Sequence, residues 1–329
     1  MAKGTNQKRK LLYLAQIFSE ETDEDHGLTL AEIAQRLSRL DINAERKTLY
    51  QDFEELRRFG MDICTNQEGK SFRYFLGSRT FQLPELKLLV DAVQSSRFIT
   101  EQKSRELIKK LETLTSRSNA NQLQRQVLIA GRIKTMNESI YYNVDGLHTA
   151  IAKERQIQFR YFRWGPDKTM ILRHNGELYT VSPWHLCWDD ENYYLVAYDS
   201  ASGRIKHYRV DKMKNITITD LPRDGAETME HLDLTVYTRR LFGMFGGESI
   251  RVTLEGDDDM INVLIDRFGD EIPLSRKDGD RVETRVDVAV SPQFLGWVAS
   301  FGGKLTVTSP PSVKEQMRTL ARKLSEQYE

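Results

Sequence analysis

In the stretch ENYYLVAYDSASGRIKHYRVDKM, Glu191–Met213, two strand-like runs flank a short polar turn. Side chains alternate along a strand, so His207 and Arg209 fall on one face and Tyr208 and Val210 on the other. A purely structural hairpin needs only apolar residues inside and soluble ones outside. One histidine, one arginine and several tyrosine hydroxyls at the same place suit a different task, the binding of an anionic ligand. Arginine clamps phosphate oxygens in a bidentate fork, histidine donates hydrogen bonds and gains charge at lower pH, and aromatic faces stack on bases. The candidate effector-binding residues are Arg160, Tyr161, His185, Tyr193, Tyr194, His207 and Arg209. The competing role is packing, because a tyrosine in a strand usually fills a core.

A second group lies near the N-terminus. Glu45, Arg46, Lys47, Thr48, Tyr50 and Gln51 open a helical run, AERKTLYQDFEELRRFG, whose apolar stripe is Leu49, Phe53 and Leu56. Arginine bonds guanine bidentately, glutamine does the same for adenine, and lysine and tyrosine hold phosphates or bases. Arg46, Lys47, Thr48, Tyr50 and Gln51 are therefore candidate DNA contacts, and Lys70 and Arg73 add to them from a following hairpin. The first 80 residues carry 13 basic and 13 acidic side chains, so non-specific attraction to phosphate is weak and reading must be local.

The elements that position these residues follow from periodicity. Lys8–Glu20 carries a helical stripe of Leu11, Leu12, Leu14, Ala15 and Phe18. Thr29 and Glu32 form a capping box that starts a second helix, buried on Leu30, Ile33, Ala34 and Leu37. Asn43 is placed to cap the third helix, and Gly60 ends it. A hairpin follows, with strands Asp62–Thr65 and Ser71–Leu76 about a turn at Asn66–Gly69. Three helices and a hairpin in that order predict a winged helix-turn-helix, in which the second helix of the motif enters the major groove. Two more helices start at Pro84 and near Thr100, and TSRSNANQLQRQ is a helix end or a linker.

From about Asn143 the period changes. LHTAIAKER reads as a short helix, and QIQFRYFRW, LYTVSPWHLCW, NYYLVAY and IKHYRV read as strands of a small antiparallel barrel or bent sheet. From Leu234 onward the expected order is strand Ser249–Leu254, helix Asp259–Phe268, strands Ile272–Ser275 and Arg281–Ala289, helix Pro292–Phe301, strand Lys304–Thr308 and helix Val313–Gln327. That is a ferredoxin-like α+β unit with helices on one face of its sheet.

The chain of 329 residues has 48 basic and 48 acidic side chains, which argues against coating nucleic acid or membranes through bulk charge. Its two cysteines, Cys64 and Cys187, give no disulfide framework and suit a reducing compartment. MAKGTNQKRK lacks the apolar stretch of a signal peptide, and no run reaches the 18 or so apolar residues of a membrane span. A cytoplasmic setting is expected. Scattered histidines do not make a zinc cluster, with HLC at His185–Cys187 the only close pair. GMFGG at Gly243–Gly247 lacks the lysine and hydroxyl of a phosphate loop, and EGDDDM at Glu255–Met260 reads as a helix N-terminus. No cofactor, metal site or catalytic residue is expected.

RKTLYQDFEELRRFG resembles the recognition-helix pattern of DeoR-type regulators that carry a WYL domain. Arg46, Lys47, Thr48, Leu49, Tyr50 and Asp52 fit that run, with Gln51 where a basic residue is usual. Tyr193–Leu195 resembles the Trp-Tyr-Leu signature of the WYL domain, with Tyr for Trp. VSPWHL and HYRVDKM resemble its flanking Pro-x-x-Leu and Phe-Arg-Leu-Asp-Arg segments, with Tyr208 for Phe, Val210 for Leu and Lys212 for the second Arg. The resemblance implies an Sm-like or SH3-like small barrel that senses nucleic acid or a nucleotide, followed by the extension common after WYL domains.

The expected organisation is multidomain α+β: a winged helix-turn-helix at 1–80, a helical linker region at 81–142, a WYL sensor at 143–232 and a C-terminal α+β extension at 233–329. The expected function is a non-enzymatic transcription regulator, binding double-stranded operator DNA as a homodimer and answering to a small anionic or oligonucleotide effector. The rival is a nucleic-acid-processing accessory protein or enzyme that uses the barrel to hold a strand.

Overall fold

Leu14, Ile17 and Phe18 form the buried face of helix α1 (Lys10–Glu21) in a computed structural model of the chain. The structure describes residues 9–123, 134–135, 137, 139–230, 232–246, 249–277 and 279–329. Lys8 at the expected start of α1, residues 124–126 of the polar linker and Gly247 of GMFGG lie outside the described residues. The chain divides into two units, Met1–Glu138 and Ser139–Glu329.

In the first unit, α1 packs on α2 (Leu30–Ser38) and α3 (Arg46–Arg58). Phe18 meets Phe53 edge-on at 5.2 Å, and Ile33, Leu37, Leu49 and Leu56 complete the core. The Thr29–Glu32 capping box is present, with the Thr29 N–H donating to Glu32 Oε2 at 2.7 Å. The cap of α3 is a correction: Glu45, not Asn43, is the N-cap residue. Thr48 donates its hydroxyl to the Glu45 carbonyl at 2.8 Å and accepts from the buried Lys10 ammonium at 3.0 Å, and Lys10 also pairs with Asp52. This tie fixes the first turn. Gly60 follows the helix at φ 104°, where a side chain would be strained.

The hairpin is tighter than its polar residues suggest. β1 (Ile63–Glu68) and β2 (Ser71–Leu76) pair from Ile63 with Leu76 to Glu68 with Ser71. Asn66–Glu68 therefore extend the ladder, and the turn is Gly69–Lys70, with Gly69 at φ 62° supplying the backbone that a two-residue loop needs. Helices α4 (Leu83–Ser95), α5 (Glu101–Glu112) and α6 (Arg117–Leu123) follow, joined by Leu86, Val90 and Leu123. Gln82 and Glu85 form the capping box of α4 and Thr100 caps α5.

The second unit opens on α7 (Ile140–Ala152), which starts well before the Leu147 expected. Ile140, Asn143, Leu147 and Ala150 recur at helical spacing on its buried side, and the Asn143 amide donates to the Met213 carbonyl at 3.0 Å. Then come β3 (Arg155–Trp164), β4 (Met170–Leu172), β5 (Tyr179–Asp189), β6 (Asn192–Asp199), β7 (Arg204–Arg209) and β8 (Met213–Pro222). The sheet order is β4-β3-β5-β6-β7, with β8 also paired to β3, and bulges at β3/β8 and β5/β6 curl it into a half-barrel. Phe159, Leu195, Tyr208, Val210 and Met213 are buried inside the curl.

Two short helices, α8 (Ala226–Met229) and α9 (Leu234–Arg240), lead to β9 (Ser249–Asp257), α10 (Ile261–Phe268), β10 (Leu274–Lys277), β11 (Arg281–Ala289), α11 (Pro292–Ala299), β12 (Leu305–Ser309) and α12 (Pro311–Tyr328). The strand order is β10-β11-β9-β12, every pair antiparallel. Val252, Leu254, Val282 and Val286 of the sheet share one core with Leu264, Phe268, Phe294, Val298 and Val313 of the helices.

Candidate functional site

Two surfaces carry the chemistry, one in each unit. On α3 the residues Arg46, Lys47, Tyr50 and Gln51 are exposed while Leu49, Phe53 and Leu56 face inward, as helical spacing dictates. Arg46 Nη2 donates to the Tyr50 hydroxyl at 3.4 Å, and the Tyr74 hydroxyl lies 3.5 Å from it. Hydrogen bonds from Tyr74 and Arg46 hold Tyr50 below its ordinary pKa, and burial, helped by Tyr50, pushes Tyr74 up to about 12. Arg46, Tyr50, Lys70, Phe72 and Tyr74 line one groove of about 430 Å³.

Four of the seven expected DNA contacts are not in this lining: Lys47 and Gln51 are exposed on α3 beside it, and Thr48 and Arg73 are turned elsewhere. Thr48 is turned toward Lys10 by the bonds already described. Arg73 lies on the opposite face of β2 from Phe72, where it donates to the Gly27 carbonyl at 3.0 Å and pairs with Glu68 and, at 3.6 Å, Glu32. Strand alternation separates it from Lys70 and Phe72.

On the outer face of the curled sheet, pairing aligns Cys187, Tyr194 and Arg209 in one row and His185, Val196 and His207 in the next. A cleft of about 1090 Å³ is lined by Tyr161, Tyr194, His207 and Arg209, with Tyr237 and Gly243–Gly246 as the opposite wall. Arg160, His185 and Tyr193 are absent from this lining. Arg160 and Tyr193 each precede a lining residue by one position and so point the other way: Arg160 donates to the Gly176 carbonyl at 3.0 Å, and Tyr193 packs on Trp188. His185 shares the face but stands beyond Val196, in a separate cleft.

Arg209 is firmly held. Its Nε and Nη2 donate to Asp211 at 3.0 and 2.9 Å, and Nη2 donates to Asn192 at 2.8 Å. Its backbone N–H donates to the Tyr161 hydroxyl at 3.0 Å. Burial pushes Tyr161 up to about 12. Arg209 thus has a carboxylate partner already. His207 lies 3.1 Å from the Tyr237 hydroxyl through Nε2 and bonds the Met244 backbone. Burial outweighs the Met244 bond and lowers its pKa to about 4, so the ring is neutral at pH 7.

Sequence reasoning missed Tyr237, Met244 and Phe245, and assigned no role to the GMFGG segment whose first four residues wall the cleft. No spacing signal links them to β7, because they meet it only through the tertiary fold. Among the described residues, no group of three or more His, Cys, Asp or Glu side chains is placed to hold a metal ion, and no helix is long and apolar enough to cross a membrane.

This sheet and the one after it fall within two known domain types. Residues 143–218 match the WYL domain, and residues 248–325 match the WCX domain. The chain therefore contains a WYL domain followed by a WCX domain. Among solved structures it is similar to proteasome accessory factor B/C (PafBC) of Arthrobacter aurescens, at 17% identity, with 95% of this chain and 46% of that chain covered and a TM-score of 0.28. The chain thus spans about half the length of that protein. It is also similar to a CRISPR Cas-related protein, at 13% identity, with 89% and 76% covered and a TM-score of 0.38. No curated protein matches the sequence.

Proposed function

We propose that the chain is a DNA-binding transcription regulator, with a winged helix-turn-helix at 1–80, a helical linker at 81–142, a WYL sensor at 143–232 and a C-terminal extension at 233–329. The observation that carries the reading is the groove on α3. Arg46 and Tyr50 stand in the first turns of a helix whose other face is the core, and Lys70 of the hairpin turn lines the same groove. A base-reading helix needs its N-terminal side chains open to the major groove and a basic wing beside it for phosphate. The WYL domain supports the sensor half, and its cleft at Arg209 suits an effector that is a nucleotide or a nucleic-acid strand. The strand order of the C-terminal sheet supports a ferredoxin-like unit, which we assign to homodimer formation or gating. The protein acts in the cytoplasm, without enzymatic activity, and the effector biases the spacing of two recognition helices.

Gel-shift titration on the cognate operator tests the reading. Arg46→Ala or Tyr50→Ala is expected to weaken binding by about 1–3 kcal/mol with the fold unchanged. Unaltered affinity in both variants removes α3 from DNA recognition. The same labelled DNA incubated with magnesium separates the rival, since cleavage favours a processing enzyme and an intact, retarded band favours the regulator.

A further inference from the structure

A second cleft, of about 450 Å³, lies beyond Met244, which lines both. His185, Cys187 and Asp189 reach it from alternate positions of β5, and Arg267 reaches it from α10. Asp189 Oδ2 and Arg267 Nε are buried there, and neither has a hydrogen-bond partner. Their opposite charges attract, yet among the described residues no ion pair within 4.0 Å joins the two. Arg267 is fixed in place, 3.9 Å above the Phe242 ring and bonded to the Leu241 carbonyl, and Asp189 is fixed by the β5 ladder with Asn192. Burial raises the Asp189 pKa and lowers that of Arg267, as expected for charges that a cleft has desolvated without pairing.

We propose that this cleft is a nucleobase site and that guanine is the base it takes. A buried acceptor and a buried donor left open cost free energy, and the cost is recovered by a ligand that donates to one and accepts from the other. A phosphate does not qualify, because Asp189 repels it. Guanine qualifies on one edge and its neighbour: N1–H and N2–H donate to the carboxylate, while O6 and N7 accept from the guanidinium. Adenine brings a single donor group to the carboxylate. Leu234 and Met244 supply apolar walls for the ring. The assignment rests on the effector being a nucleotide or a strand, and it adds base selectivity to the anion cleft across Met244.

The experiment is calorimetric titration of the full chain with GMP, IMP, AMP and CMP, and with short single-stranded oligo-dG and oligo-dT. GMP or a guanine-bearing strand is expected to bind about tenfold tighter than its adenine or pyrimidine counterpart. IMP, which lacks the N2 amino group, should fall between GMP and AMP. Binding of the mononucleotide identifies a free nucleotide as the source, and binding of the oligonucleotide alone identifies a strand; either supports the site. Asp189→Asn should abolish the guanine preference, and the GMP, IMP and AMP series on the native chain decides the matter even where that variant melts early. Equal affinity for all bases, or a guanine preference that survives Asp189→Asn, overturns the base site and leaves the effector reading standing. No binding by any nucleotide or oligonucleotide overturns both.

Discussion

Replacing His207 by Gln removes a titration that the structure makes costly. The unfolded ring takes its proton near 6.5 and the native ring only near about 4, because the closed cleft wall desolvates it. Between those values the unfolded chain binds more protons than the native one, so stability rises with pH. The full stability is present above 6.5 and is lost as pH falls toward 4. The whole linkage amounts to about 3 kcal/mol, of which about 2 kcal/mol is gone by pH 5. In a unit of this size that is roughly 4–8 °C in melting temperature. Thermal melts of the native chain and of His207→Gln at pH 7.5 and pH 5 measure it. The variant carries a constant offset from the lost Tyr237 contact, which cancels in the difference between the two pH values. The native chain is therefore expected to lose about 2 kcal/mol more than the variant on acidification. Parallel losses would show that His207 protonates freely in the native cleft, and that the wall formed by Tyr237 and Gly243–Gly246 does not exclude water from it.

Lys10→Met should destabilise the first unit by about 3 kcal/mol in urea titration, because it strands Asp52, and adding Asp52→Leu should recover part of the loss. Arg209→Ala should abolish the response to effector while operator binding by the unliganded chain persists, and Arg209→Lys should restore it only in part, since Lys keeps the charge but loses the bidentate fork onto an anion. A variant that melts early yet responds normally would make Arg209 a scaffold residue for Asp211 and Asn192. Light scattering is expected to give a homodimer free and on DNA, on half-sites about 10 bp apart or a multiple of that, and a monomer in both states would refute the dimer.

Much of the fold was legible because it is written in local spacing. The Thr29–Glu32 capping box, the Leu49–Phe53–Leu56 stripe and the Val282–Val286–Val288 alternation each occupy a few consecutive turns or pleats, and each predicts its element. The misreadings share a cause. Asn66–Glu68 look like turn residues, yet they are paired, because the exposed hairpin asks only for backbone hydrogen bonds there. β8 exposes most of its side chains, and Thr217 among them carries no apolar signal even though it pairs with Gln158 of β3. The start of α7 was obscured by Tyr141 and Tyr142, exposed aromatics with strand propensity, while Ile140 and Asn143 held the helical period beneath them.

The site divides along the same line. That Tyr194, His207 and Arg209 share a face follows from strand alternation and hairpin pairing, both local, and so does the separation of Arg160 and Tyr193 from Tyr161 and Tyr194. What closes the cleft is not local. Tyr237 and Met244 come from the segment between two sheets, and Arg267 comes from a helix of the second one. A carboxylate at Asp189 reads in the sequence as one acid among 48. Only when the second sheet brings Arg267 to it, and holds it short of an ion pair, does it become a group with an unmet bond. The chemistry of this surface is therefore set at the junction of the two domains, and a substitution in α10 can alter recognition without touching a single residue of the WYL domain.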